Sequence, residues 1–258
     1  MGRIIVALLM IALAPAGPAG AQTRSERVPV LAELFTSEGC SSCPPADRIL
    51  ELLAAEPPVD GVDVIIMSEH VTYWDHQGWR DPFGSPTFTS RQQMYGEWFK
   101  LSSVFTPQLV IDGASQIVGT DIAALKAALV KSAAKSKPRL AVEIRENGAQ
   151  RLVAAVSGAG AAVDAELVWA VTEDNLEVEV KRGENARRTL HHSGVVRWFS
   201  ARKLTAGVTP ATIDIPLRAE WKRDRLRVVA FVQSARNREV LSVGAVSVQA
   251  PRPRDTPR

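Results

Sequence analysis

The chain has 258 residues, of which 46% are hydrophobic and 23% are charged. That length accommodates two domains of ordinary size, and the composition is typical of a soluble globular protein. The formal net charge is only +3, because 31 basic residues oppose 28 acidic ones. A charge this small gives no reason to expect nucleic acid or an anionic membrane surface as a partner.

The first 21 residues predict a cleavable signal peptide. Arg3 precedes an apolar run from Ile4 to Ala14, and Ala19-Gly20-Ala21 forms a small-residue cleavage site with the cut after Ala21. The run has about eleven residues, whereas a membrane-spanning helix needs roughly twenty, so an uncleaved anchor is the less favoured alternative. No later apolar run reaches that length. We therefore expect export to the periplasm or the medium, an oxidising compartment, with no membrane span after cleavage.

The only two cysteines of the chain, Cys40 and Cys43, lie between a predicted strand and a predicted helix. The apolar run Val28 to Phe35 predicts a buried strand, and the helical spacing of apolar residues beyond Pro44 and Pro45 predicts a helix. Cys40 is then at the helix N-terminus, where unpaired N–H groups and the helix dipole favour a thiolate. We predict that Cys40 has a lowered pKa, is open to a visiting chain and attacks it. Cys43, one turn inside the helix, resolves the mixed disulfide.

Two other roles for this pair of cysteines remain open. A structural disulfide closing so short a loop contributes only about 2 kcal/mol, so stability is a poor reason for the spacing. A zinc site needs two more ligands, and the sequence holds no second Cys-x-x-Cys and no His-x-x-x-His. The redox dithiol is the favoured interpretation.

A polar and aromatic segment follows the second predicted strand, Val62 to Met67, which the intervening helix makes a parallel neighbour of the first. Parallel sheets place ligands at such strand ends, so a functional segment is one interpretation. The other is that the aromatic rings cover the sheet edge and the histidines are solvated. The residues concerned are His70, Tyr73, Trp74, His76 and Trp79.

A second motif, Thr106-Pro107, precedes the predicted strand Leu109 to Ile111. A cis peptide bond before Pro107 would set the direction in which that strand begins. Asp112-Gly113 predicts a hairpin turn, and an amphipathic helix is expected over Ile122 to Ala134.

The predicted order β-α-β-α-β-β-α, together with the two motifs, resembles the thioredoxin superfamily over Val28 to Ala134. Cys40-Ser-Ser-Cys43 is similar to its active-site dithiol and Thr106-Pro107 to its cis-proline loop, which implies that Thr106 offers backbone hydrogen bonds to a substrate strand. Together with the segment His70-Val-Thr-Tyr-Trp-Asp75, these motifs look like those of an exported bacterial thioredoxin-like family, the domain of unknown function 1223. That family implies a fold and a chemistry, and no established substrate.

The sequence departs from thioredoxin itself in three ways. No Trp precedes the first cysteine, no Gly-Pro lies between the two, and the position of thioredoxin's buried acid falls near Leu34. The auxiliary groups that handle protons are therefore expected to be His70 or Glu38.

The second half of the chain predicts an all-β unit. After a linker at Lys135 to Pro138, the pattern alternates between apolar and polar residues, as in an antiparallel, immunoglobulin-like β-sandwich. We expect a signal peptide over 1–21, a thioredoxin-like domain over 28–136, the sandwich over 139–249 and a disordered tail over 250–258. The predicted strands are Leu140 to Arg145, Arg151 to Ser157, Ala165 to Thr172, Leu176 to Val180, Val195 to Leu204, Ala211 to Pro216, Leu226 to Gln233 and Val240 to Val248.

One loop of this half, Lys181 to Ser193, carries four cations, Asn185 and two adjacent histidines. Such a loop either docks on the dithiol face or binds an anion, or it is an ordinary solvated hairpin, which loop statistics favour. His191 and His192 point to opposite faces if extended, so their spacing does not indicate a chelating pair.

The sequence therefore predicts an exported thiol–disulfide oxidoreductase that needs no cofactor. Cys40 and Cys43 are its reacting groups, Thr106 and Pro107 position the substrate, and the substrate is a cysteine-containing protein or a small thiol served by a redox partner. A Cu(I)-binding module with Cys40, Cys43 and His70 as ligands is one alternative. A non-catalytic adaptor with a permanently oxidised pair is another.

Overall fold

The computed structural model describes residues 27–135, 137–158, 164–204 and 210–248. The predicted signal peptide and C-terminal tail lie outside these ranges. The helices are α1 (Pro44–Ala55), α2 (Pro86–Trp98) and α3 (Ile122–Ala133). The strands are β1 (Val28–Thr36), β2 (Val62–His70), β3 (Gln108–Ile111), β4 (Ser115–Val118), β5 (Ala141–Asn147), β6 (Arg151–Ser157), β7 (Ala165–Glu173), β8 (Leu176–Glu179), β9 (Thr189–His192), β10 (Val195–Leu204), β11 (Ala211–Pro216), β12 (Leu226–Ser234) and β13 (Val240–Ser247).

A mixed eight-stranded sheet runs through both halves of the chain, in the order β13-β12-β7-β10-β2-β1-β3-β4. Strands β1 and β2 are parallel, whereas β3 and β4 are antiparallel to their neighbours. The halves meet where β10 pairs in parallel with β2, at Val195 and Ser68. There the Ser68 N–H donates to the Gly194 carbonyl at 2.7 Å. The sheet that carries the cysteine segment is thus continuous with strands from the second half.

Gly194 makes this junction possible because its backbone has a φ of 68°. A Cβ atom there would lie 2.8 Å from Cγ1 of Ile66 on β2. Only a residue without a side chain adopts this conformation at that distance without strain. The glycine lets the second half approach the edge of β2 closely enough to hydrogen-bond.

Two smaller sheets complete the fold. The three-stranded sheet β11-β6-β5 packs on one face of the large sheet around Trp169 and Trp221, and this is the largest apolar core of the second half. The hairpin β8-β9 lies apart from both sheets and contacts α1. Helices α1 and α3 cover one face of the first half, with Leu50, Leu53 and Leu129 against β1 and β2.

A buried ionic cluster ties α2 to both halves on the other face of the sheet. Glu33 accepts hydrogen bonds from Nε of Arg91 at 2.7 Å and from the Tyr95 hydroxyl at 2.6 Å. Gln233 on β12 donates to the same hydroxyl at 2.7 Å. Burial, and next the charge of Glu33, raises the pKa of Glu69 well above its ordinary value, whereas Arg91, whose Nε is 3.6 Å from Glu69, lowers it.

The predicted fold class, an α/β thioredoxin-like domain followed by an antiparallel sandwich, is wrong. The described residues form 13 strands and three α-helices, and the largest sheet mixes strands of both halves. All nine residues of β2 are buried, so the strand is central in its sheet. An apolar run predicts that burial but not the neighbouring strand, and here β10, about 130 residues later, covers an edge that would otherwise be open. None of the helices in the described ranges is long and apolar enough to cross a membrane.

Candidate functional site

The cysteines lie in the turn between β1 and α1, but one turn earlier than the sequence predicts. The N-cap of α1 is Cys43, and the prolines at Pro44 and Pro45 fill the first helical positions. Because proline tolerates the first turn and disfavours helix before it, the helix begins after Cys43 and not before it. Cys40 lies three residues upstream, where the Cys43 N–H donates to the Cys40 carbonyl at 3.2 Å. The helix dipole is therefore not what acts most directly on Cys40.

The structure brings the second predicted motif to the sulfur of Cys40. The Thr106 carbonyl lies 3.9 Å from Sγ of Cys40, and the Thr106–Pro107 peptide bond is cis. The indole N–H of Trp74 donates to Oγ1 of Thr106 at 2.7 Å and holds this loop in place. Three segments that are far apart in sequence, at Cys40, Trp74 and Thr106–Pro107, thus meet at one point.

The Cys40 thiol is not open to solvent in this structure, contrary to the sequence expectation. Its exposed fraction is 0%, and so is that of Cys43. The hydroxyl of Ser42, an exposed residue, lies 3.2 Å from Sγ of Cys40. A small side chain that reaches the surface is therefore one of the groups in contact with the sulfur.

The two thiols have opposite acidities, and both are free. A hydrogen bond from Cys43 is the main cause that lowers the pKa of Cys40 to about 6; Ser42 and Thr106 assist, and burial opposes. Burial is also the main cause that raises the pKa of Cys43, followed by the neighbouring Cys40 sulfur and the charge of Asp47. At neutral pH the pair therefore holds one thiolate on Cys40 and one proton on Cys43.

A buried polar cluster lies beneath this turn and includes both predicted auxiliary residues. Nδ1 of His70 is 2.7 Å from Oδ2 of Asp81, which also accepts a hydrogen bond from the Glu38 N–H at 2.8 Å. Burial opposes protonation of His70, but the carboxylate of Asp81 raises the pKa of His70 overall. Glu38 contacts Nε2 of His192 at 3.2 Å, and the other His192 nitrogen is 3.8 Å from Asp47. The two predicted auxiliary residues thus do not contact each other through their side chains in this cluster: His70 pairs with Asp81, and Glu38 pairs with His192.

The loop between β8 and β9 docks on the cysteine segment. The side-chain amide of Asn185 donates to the carbonyls of Glu38 and Cys40, both at 2.9 Å, and is fully buried. The carboxylate of Glu184 accepts a hydrogen bond from the Ser41 N–H at 3.0 Å. Of the interpretations open for this loop, docking on the dithiol face is therefore the one that the structure favours over a free hairpin.

Other predicted residues take different roles. The indole N–H of Trp79 donates to Glu38 at 2.7 Å, the Tyr73 hydroxyl donates to Gln92 at 3.1 Å, and His76 is exposed. Within the ranges that the structure describes, no group of three His, Cys, Asp or Glu side chains could hold a metal ion. Nδ1 of His70, the third ligand of the copper alternative, contacts Asp81, and Nε2 of His70 is buried without a hydrogen-bond partner among the described residues.

Sequence reasoning missed several members of this site. Asp47 and Asp81 carry no motif, and Asn185 and His192 lie about 150 residues from the cysteines that they serve. Only the cationic loop around Asn185 gave a signal, since its composition is unusual for a hairpin connection.

Fold and site together define a β-rich protein in which a buried cysteine pair lies between β1 and α1, beside the cis Thr106–Pro107 bond, with the loop between β8 and β9 docked on it. The chain belongs to the family described as "Protein of unknown function (DUF1223)", whose model matches residues 31–233. The resemblance to this family is thereby confirmed, whereas the wider thioredoxin superfamily is not.

Two solved structures are similar to this chain to different degrees. The X-ray crystal structure of protein AGR_C_4864 from Agrobacterium tumefaciens has a TM-score of 0.63 and 25% identity, over 86% of this chain and 94% of that chain. A domain of the outer membrane lipoprotein Omp28 from Porphyromonas gingivalis has a TM-score of 0.30 and 12% identity, over 44% of this chain and 89% of its own. No curated protein matches the chain.

Proposed function

We propose that this protein is an exported thiol–disulfide oxidoreductase whose reacting groups are Cys40 and Cys43. The observation that carries the proposal is the unequal acidity of the two thiols, with the pKa of Cys40 lowered to about 6 and that of Cys43 raised. A thiolate is the nucleophile in thiol–disulfide exchange, and a low-pKa thiol beside a protonated partner is the arrangement that the reaction uses. The cis Thr106–Pro107 bend beside Cys40 offers a carbonyl near the reacting sulfur.

The reaction balances as an exchange of two electrons. The Cys40 thiolate attacks one sulfur of a substrate disulfide, that bond breaks, and the departing sulfur takes a proton from water. Cys43 then loses its proton and attacks the Cys40 sulfur, which releases the second substrate thiol and leaves a Cys40–Cys43 disulfide. The substrate is a cysteine-containing protein or a small thiol, and a separate redox partner reverses the change. In the opposite direction the same steps oxidise a dithiol.

Access to Cys40 requires a local movement, because the sulfur is covered in the resting structure. Ser42 is exposed, and its hydroxyl is 3.2 Å from the sulfur. Exposed side chains change rotamer within nanoseconds, so rotation of Ser42 is a fast route by which a reagent reaches the thiolate.

The experiment is alkylation of the folded Cys43→Ser variant by iodoacetamide across a pH series. Only Cys40 can then react, since the chain has two cysteines. The wild-type rate is expected to rise with pH around a midpoint near 6, as the Cys40 pKa of about 6 requires. A Cys43→Ala variant should react with a higher midpoint, because it lacks the hydrogen-bond donor that lowers the pKa of Cys40.

Turnover gives the second readout. Wild-type protein should reduce a model disulfide, and the Cys40→Ala variant should not. A folded protein in which Cys40 resists alkylation at every pH, or a Cys40→Ala variant that turns over at the wild-type rate, would overturn the proposal.

A further inference from the structure

The segment from Lys181 to Arg188 concentrates positive charge next to the dithiol. Its eight residues contain four cations and a single acid, Glu184. That excess equals the net charge of +3 of the entire chain. The charges of the rest of the sequence therefore sum to zero, and this loop is a local concentration of positive charge.

This loop is fixed at the cysteines and is not free to move away from them. The Asn185 amide holds the Cys40 carbonyl, and Glu184 accepts from the Ser41 N–H. Within the loop, the Ala186 N–H donates to the Gly183 carbonyl at 3.1 Å and the Arg187 N–H donates to the Val180 carbonyl at 2.8 Å. The backbone of the cationic residues is thus positioned by the same contacts that hold the cysteine turn.

Two of the four cations are available to a visiting molecule. Lys181 pairs with Glu179, and Arg188 donates to the Asn185 side chain at 2.7 Å. Arg182 and Arg187 are exposed, and in the described part of the chain neither is within ion-pair distance of an acidic side chain. The carboxylate of Glu184, the one opposing charge, is already engaged by Ser41, whose hydrogen bonds lower the pKa of Glu184.

We propose that the substrate of this dithiol is an acidic polypeptide segment, in which negative side chains flank the reacting cysteine or disulfide. The inference rests on the proposed function and names the substrate class for it. Positive side chains beside a nucleophile raise the local concentration of anionic partners and increase their association rate in a salt-dependent way. It also offsets the repulsion between an anionic disulfide and the Cys40 thiolate. Arg182 and Arg187 are the residues that determine this specificity.

The experiment compares two aryl disulfides that differ in charge. Dithiobis(nitrobenzoate) is a dianion, whereas dithiodipyridine is neutral. The Cys40 thiolate breaks the S–S bond of either reagent and keeps one half as a mixed disulfide. The other half leaves as thionitrobenzoate or, after taking a proton from water, as thiopyridone, and each product is followed by its absorbance. The protein is the full chain with Cys43→Ser, so a single exchange is followed. The test variant adds Arg182→Gln and Arg187→Gln. The control variant instead adds Arg202→Gln and Lys203→Gln, two exposed cations on β10.

The test variant should react with the dianion about three to ten times more slowly at low salt, because it lacks two positive charges in the loop that contacts the cysteine turn. Its rate with the neutral disulfide should stay within about twofold, and added salt should remove most of the difference. The control variant, with the same change in net charge, should match the parent with both reagents. Because intrinsic reagent reactivity cancels in each variant-to-parent ratio, the comparison isolates the local charge.

The outcomes separate the two proposals. Reaction with both reagents but equal ratios for test and control variants overturns the acidic substrate and leaves the redox function standing. No reaction with either reagent in the folded parent overturns the redox function and the substrate class together.

Discussion

Replacement of Asn185 by Ala should loosen the cysteine turn and destabilise the protein by about 2–4 kcal/mol. The substitution removes two hydrogen bonds of 2.9 Å: the Glu38 carbonyl loses the Asn185 donor, whereas the Cys40 carbonyl keeps the Cys43 N–H. An unsatisfied buried acceptor costs about 1–3 kcal/mol, and the second lost hydrogen bond adds about 1 kcal/mol. Because Asn185 is fully buried, water does not simply replace the amide.

Urea unfolding followed by circular dichroism measures this change in the free energy of unfolding. Thr189→Ala, at an exposed position of the same hairpin, is the matched control and should change it by less than about 0.5 kcal/mol. Alkylation of Cys40 should be faster in Asn185→Ala, since the turn opens more often when its clamp is gone. Equal stability and equal Cys40 reactivity in the two variants would refute the reasoning.

Four further substitutions test three other parts of the structure. Arg91→Met should cost about 3–5 kcal/mol of unfolding free energy by isolating a buried carboxylate, whereas Glu69→Gln should cost under about 1 kcal/mol because the raised pKa of Glu69 favours its uncharged form; equal losses would contradict this. In the folded state the pKa of His70 is raised and that of Asp81 is lowered. The wild-type free energy of unfolding measured in urea should therefore exceed that of His70→Gln by its full amount between about pH 4 and 6.5, and the difference should shrink as pH rises through the folded pKa of His70. A difference that does not change with pH would contradict an ion pair between His70 and Asp81. Gly194→Ala should lower the melting temperature, with a cost of about 1–3 kcal/mol from the positive φ and the nearby strand; an unchanged melting temperature would show that the junction tolerates a side chain.

Local features of this protein were readable from its sequence. Strands β6 and β10 begin and end where alternation predicts, at Arg151–Ser157 and Val195–Leu204. The start of α1 is set by two prolines, and the cis bond falls at Thr106–Pro107 as the motif suggested. Each of these depends on residues within a few positions of one another, which is the range over which backbone preference acts.

The assembly of those pieces was not readable. Pairing of β10 with β2 depends on the close approach that Gly194 allows, and a single glycine carries no sign of its distant neighbour. The burial of Cys40 and the clamp by Asn185 likewise arise from contacts across about 145 residues of sequence. Hydrophobic periodicity indicates which face of a helix or strand is buried, but it does not indicate which other part of the chain packs against that face.

The junction at Gly194 also means that β2 is synthesised before the strand that pairs with it. A ribosome delivers β1, α1 and β2 well before β10, and until that strand arrives the rim of β2 has no hydrogen-bonding neighbour and Asn185 has not reached the cysteines. A nascent chain that lacks β10 therefore has an unpaired edge on β2 and a cysteine turn without its Asn185 contacts. The last third of the polypeptide supplies both, and so it completes a site whose cysteines are encoded near the beginning of the chain.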